Sequence, residues 1–137
     1  MKPINVPTIP LNDAIARVTL FREKMLKSAA VPDSNIPRAI LIPIDDLLAI
    51  LMKYSSVDGE GNVTSALKGV RTYFAIKATD QDLPDEVTGL VVAVDLEGND
   101  LINTTSGVGD DEEGSEIYDF TKPCPTECDP ESPLFVL

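Results

Sequence analysis

The chain has 137 residues, 43% hydrophobic and 25% charged, with no tryptophan, no histidine and a formal net charge of −12. That length and balance predict one globular domain, residues 1–137, with a mainly aliphatic core. The charge repels phosphate backbones and anionic bilayers, so neither nucleic acid nor a membrane is an expected partner, and the missing histidine removes every Ser-His or Cys-His mechanism along with the commonest zinc ligand.

Residues 1–10 hold Pro3, Pro7 and Pro10 and read as an extended N-terminal arm. The opening stretch has no apolar leader, and no run approaches the roughly 18 apolar residues of a membrane span, so a cytoplasmic location is the default expectation. From Leu11 the pattern becomes helical: Leu11, Ala14, Ile15, Val18, Phe21 and Met25 recur at spacings of three and four. The Pro10 step or Asn12 can start this helix, and Val31-Pro32 ends it. Arg22 projects into the middle of the apolar stripe, while Arg17, Lys24 and Lys27 lie on the other side.

Arg38 to Ile42 is a β-prone run closed by Pro43. Ile44 to Tyr54 then predicts a second helix, with Asp45 and Asp46 in the first turn, where carboxylates suit the helix dipole. Ile44, Leu47, Leu48, Ile50, Leu51, Met52 and Tyr54 leave a narrow polar strip at Asp46, Ala49 and Lys53. A helix apolar over more than half its circumference is central in the core or covered by a partner subunit.

The second half is β-like. In GVRTYFAIKA, Val70, Thr72, Phe74 and Ile76 alternate with Arg71, Tyr73, Ala75 and Lys77. After the polar connection ATDQDLPDE comes the strongest strand, Leu90 to Val94, then the turn EGND and an expected return strand over Leu101 to Thr104. SGVGDDEEGSE is an acidic loop, and EIYDF is a candidate last strand. Helices first and strands after predict an α+β fold: two N-terminal helices packed on one face of a small antiparallel sheet of three to five strands. A Pro- and Cys-rich tail, residues 121–137, follows.

Charge is unevenly spread, with seven Lys/Arg against five Asp/Glu in residues 1–57 and four against eighteen in residues 58–137. The acidic stretch DGEGNVTSALKG begins with oxygen ligands at Asp58, Glu60 and Asn62, as an EF-hand loop does. It then places Val63 where the loop needs glycine and Gly69 where it needs glutamate. No phosphate-binding loop, G-x-S-x-G, H-E-x-x-H or C-x-x-C is present. No catalytic residue, cofactor or metal ligand is therefore assigned, and enzymatic chemistry would be confined to carboxylates or a Cys124 nucleophile.

Four residues stand out as structural or binding candidates: Arg22, Asp119, Cys124 and Cys128. Arg22 either lays its stem on the core with its head in water, or is a buried guanidinium paired with a carboxylate such as Asp119, or holds an anionic ligand. Cys124 and Cys128 are spaced C-x₃-C between prolines. Free thiols, a short disulfide clasp, and metal or redox use all stand open for them.

The phrases PLNDAIARVTLFR, AILIPIDDLLAIL, GVRTYFAI, LVVAVDLEGNDL and YDFTKPCPTECDPESPL together resemble a family of small uncharacterised Bacteroidota proteins. The resemblance covers most of residues 8–134 in the same order and is most specific in the tail, with Asp119, Phe120, Pro123, Cys124, Pro125, Cys128, Asp129, Ser132 and Pro133. It implies one domain of a cytoplasmic-type bacterial protein and no catalytic residue. The function expected is a non-enzymatic, self-associating interaction or structural module. The alternative is a small-ligand or metal-binding module using Arg22 or the acidic loops.

Overall fold

The structure is a computed structural model that describes residues 1–28, 35–76, 86–104 and 114–137. In chain order these form α1 (Leu11–Ser28), β1 (Ala39–Leu41), α2 (Ile44–Tyr54), β2 (Ser55–Val57), β3 (Val63–Ser65), β4 (Leu67–Ile76), β5 (Val87–Asp95) and β6 (Lys122–Cys124). The fold is mixed α+β.

Local chemistry sets the element ends. The carbonyl of Pro10 accepts the amide of Ala14 at 3.1 Å, so α1 starts at the proline step. Val31-Pro32, the expected stop, lies outside the described residues. Pro43 precedes α2 with φ −58° and ψ 139°, and Ser55 leaves it in an extended conformation that passes straight into β2. Residues 1–10 are exposed and carry no regular structure, but Lys2 N donates to Gly61 O at 2.8 Å and ties the arm to the β2–β3 turn.

Two hairpin turns use one device. In DGEGN, Asp58 Oδ1 accepts the amides of Glu60 and Asn62; in DLEGN, Asp95 Oδ1 accepts those of Glu97 and Asn99. The fourth residue of each turn is a glycine at positive φ, Gly61 at 87° and Gly98 at 91°, a conformation that costs glycine little.

The strands pair two by two, β1 with β6, β2 with β3 and β4 with β5, all antiparallel. This differs from a single sheet of three to five strands, and the free edge of β5 explains why. The expected return strand gives only the bridge from Asp100 to Val94 and the bond from Leu101 N to Ala93 O, before Asn103 N turns away to Ser115 O. EIYDF gives only the bridge from Tyr118 to Val91. Two short pieces therefore share one edge, and neither is long enough to be a strand. Beyond Tyr118 the chain crosses to β1, where Pro123, lacking an amide hydrogen, sits opposite Ile40.

The core lies on the face of β5 that carries Val91 and Ala93, where Ile50 of α2 packs with them, ringed by Ile42, Tyr54, Leu67, Leu101 and Tyr118. Val92 and Val94, on the opposite face, are also buried. Gly89 is where β1 crosses the hairpin. A Cβ there would lie 2.7 Å from Thr72 Cγ2 and 3.2 Å from Ile40 Cδ1. By contrast, α1 has no buried residue. Its Val18, Phe21 and Met25 line an open apolar groove with Ile40, Thr72 and Phe74. Among the described residues no helix is long and apolar enough to cross a membrane.

Candidate functional site

Two regions carry side chains whose placement the fold alone does not require. The first is the outer face of α2. Within the narrow polar strip Ala49 and Lys53 are exposed, but Asp46 is buried with Ile50, while Ile44, Leu48, Leu51 and Met52 of the wide apolar face are 65%, 43%, 45% and 80% exposed. Positions 44, 48, 51 and 52 fall at i, i+4, i+7 and i+8, which is one helix face. The reason lies at the other side of the helix. Ile50 is the residue that fits against Val91 and Ala93, and Tyr54 on the same side donates its hydroxyl to Glu116 Oε1 at 2.8 Å. Lys53 pairs with the same carboxylate oxygen.

Burying Asp46 has an electrostatic cost. Its Oδ2 is buried without a hydrogen-bond partner among the described residues. Burial first, then the charges of Asp45 and Asp119, hold its carboxyl above the ordinary aspartate range. Asp119 is itself exposed, and among the described residues it forms no ion pair with Arg22. Among the described residues, ion pairs join Lys53 to Glu116 and Arg71 to Asp100.

The second region is a cleft of about 430 Å³ lined by Arg22, Arg38, Pro125, Thr126, Cys128, Pro130 and Phe135. Cys124 and Cys128 are joined by a disulfide, with their Cα atoms 4.9 Å apart. Among the options open for these thiols the structure takes the clasp. Glu127 N donates to Pro123 O at 2.8 Å, joining the small loop to the residue that precedes it. Outside it, Thr126 gives both its amide and its hydroxyl to the buried carboxylate of Glu86. The tail beyond folds back: Ser132 N donates to Asp129 O and Phe135 N to Ser132 O, bringing the Phe135 ring under the Arg38 guanidinium at 4.0 Å. Arg38 Nη1 also donates to Val136 O.

Arg22 enters the cleft from α1. Its head is not simply in water, because Nε and Nη1 are buried, and neither has an acceptor among the described residues. Burial, and then the positive charge of Arg22, push the Arg38 guanidinium below its ordinary value. Leaving a buried donor unsatisfied costs on the order of 1–3 kcal/mol, more for a charged group. Sequence reasoning identified Arg22, Cys124 and Cys128, and the structure brings Arg22 and Cys128 to one cleft. It missed Arg38 and Phe135, since no local signal in the sequence brings Arg38 beside the end of the tail.

The acidic stretches are otherwise occupied. Asp58 takes two backbone amides on Oδ1 and the Asn62 side chain on Oδ2, so it caps its own turn. Most of SGVGDDEEGSE lies outside the described residues. Among the described residues no three Cys, Asp or Glu side chains gather as a metal-holding group.

No protein-family model, curated protein or solved structure is significantly similar to this chain.

Proposed function

We propose that the protein is a non-enzymatic interaction module that pairs with a second copy of itself through α2. One observation supports this above others: α2 presents Ile44, Leu48, Leu51 and Met52 to solvent while burying Asp46. An isolated chain would gain by turning that apolar face inward, and exposed contiguous apolar surface marks an interaction site. The stripe is self-complementary about a two-fold axis, the commonest symmetry of homo-oligomers. Antiparallel pairing would set the acidic first turn of one α2, with Asp45, near the C-terminal end of the other, so that the helix dipoles oppose.

Sedimentation equilibrium tests this. A dimer is expected at about tens of micromolar protein. It should tighten as salt is raised, because each copy carries a net charge of −12 and screening weakens their repulsion. Leu48→Lys with Leu51→Glu, both at exposed positions, should give monomer with unchanged secondary structure. Wild-type protein that is monomeric at high salt, or a double variant that remains dimeric, would sink the proposal.

A further inference from the structure

We propose that the cleft between α1 and the disulfide loop binds a small organic anion, its carboxylate or phosphate oxygens taking the unpartnered donors of Arg22 and its apolar body lying on Phe135, Pro125 and Pro130. The chain is strongly acidic, yet it sets two of its four arginines on one cleft. Like charges held together on a low-dielectric surface are unfavourable until an anion lies between them. Arg38 is already anchored, by the carbonyl of Val136 and the face of Phe135, so it serves as a fixed wall. Arg22 is the side with capacity, having two buried nitrogens without an acceptor among the described residues.

The size of the cleft, about 430 Å³, exceeds that of a bare inorganic ion and falls within the range of small-molecule sites, roughly 300–1,000 Å³. Its walls divide the work. Guanidinium groups select an oxyanion through planar N–H donors, while the ring of Phe135 and the two prolines offer apolar contact. Among the described residues, the carboxylate bonded to a cleft residue is that of Glu86, which is engaged by the amide and hydroxyl of Thr126 and is not part of the lining. No residue of α2 lines the cleft, so this site and the dimer face stand or fall separately.

The test is titration of the intact ¹⁵N-labelled protein with benzoate, phenyl phosphate and inorganic phosphate, following the arginine Nε–H resonances. Saturable shifts of the Arg22 resonance are expected with benzoate or phenyl phosphate, at a Kd of about 1 mM or tighter; which of the two binds better identifies the head group. Arg22→Met should weaken that binding by about tenfold or more and leave the fold intact. Should Arg22→Met fail to fold, Arg22→Lys, which keeps the charge and loses the planar fork, should show the same weakening. Three outcomes would overturn the proposal: no saturable shift with any probe, binding unchanged in the Arg22 variant, or inorganic phosphate binding as tightly as phenyl phosphate.

Discussion

The hydroxyl of Thr121 serves both backbone groups of Gly89: it accepts the Gly89 amide at 3.0 Å and donates to the Gly89 carbonyl at 2.8 Å. Two residues later along β5, Val91 exchanges both of its backbone bonds with Tyr118. One side chain thus replaces a rung that the backbone of the crossing segment does not supply, and both partners are buried. Thr121→Val keeps the shape and removes the hydroxyl. It should destabilise the protein by about 2 kcal/mol, because two buried backbone groups lose their partner. Thr121→Ser should be close to wild type, and urea denaturation of the two variants makes the comparison. Equal stability of Thr121→Val and wild type would mean that other groups satisfy Gly89.

Gly89 is constrained from its other side as well. An added Cβ would meet Thr72 Cγ2 at 2.7 Å and Ile40 Cδ1 at 3.2 Å, both in a packed crossing of β1 over the hairpin. Gly89→Ala is expected to cost about 1–3 kcal/mol through overpacking. Thr72→Ser removes the nearer methyl, so adding it to Gly89→Ala should recover part of the loss. A double variant no more stable than Gly89→Ala alone would place the strain at Ile40.

The clasp between Cys124 and Cys128 yields a chemical prediction. Alkylation of the purified protein under denaturing, non-reducing conditions should find no free thiol. Replacing both cysteines by serine should lower stability by about 2 kcal/mol, the chain-entropy value for so short a loop. Such a bond and the cytoplasmic location expected from the sequence pull in opposite directions, since reducing cytosol keeps thiols apart. Acid-quenched alkylation in intact cells, scored by mass, decides between them: two alkylated thiols would place the protein where the clasp does not form.

Much of this fold is legible from local patterns. The bounds of α2 follow from Pro43 and the apolar spacing, and β5 from its unbroken aliphatic run. The turn after Asp95 is read from the short-range chemistry of EGND. What is illegible depends on partners far away in sequence. A three-residue strand such as β1 has too little periodicity to name Cys124 and Pro123 as its neighbours. For the same reason Arg38 could not be placed beside Arg22 and Phe135. The rotation of α2 is illegible for another reason: its composition favours burying the middle of the wide apolar face, and the fit of Ile50 to Val91 and Ala93 turns the helix so that one edge of that face is buried instead.

That rotation gives the protein two carboxylates with opposite pH behaviour. Burial, then the charges of Asp45 and Asp119, raise the pKa of folded Asp46. Between its unfolded value, about 3.9, and that raised value, the folded state binds more protons than the unfolded one. Stability from this group therefore falls as pH rises through the window, and its ionised form remains a cost at pH 7. Glu116 is the reverse case. The Lys53 hydrogen bond first, and that of Tyr54 with it, depress its pKa, so its stabilisation is present above the unfolded value, about 4.3, and is lost as pH falls through the folded one. Asp46→Asn should accordingly make the protein more stable than wild type at pH 7, with the difference shrinking as the pH is lowered toward 3. Glu116→Gln should make it less stable at pH 7, with that difference also fading in acid. Urea midpoints at the two pH values check both signs together. An Asp46→Asn protein that is weaker than wild type at pH 7 would mean that the carboxylate has a partner at its buried oxygen, and that α2 is held by Asp46 instead of despite it.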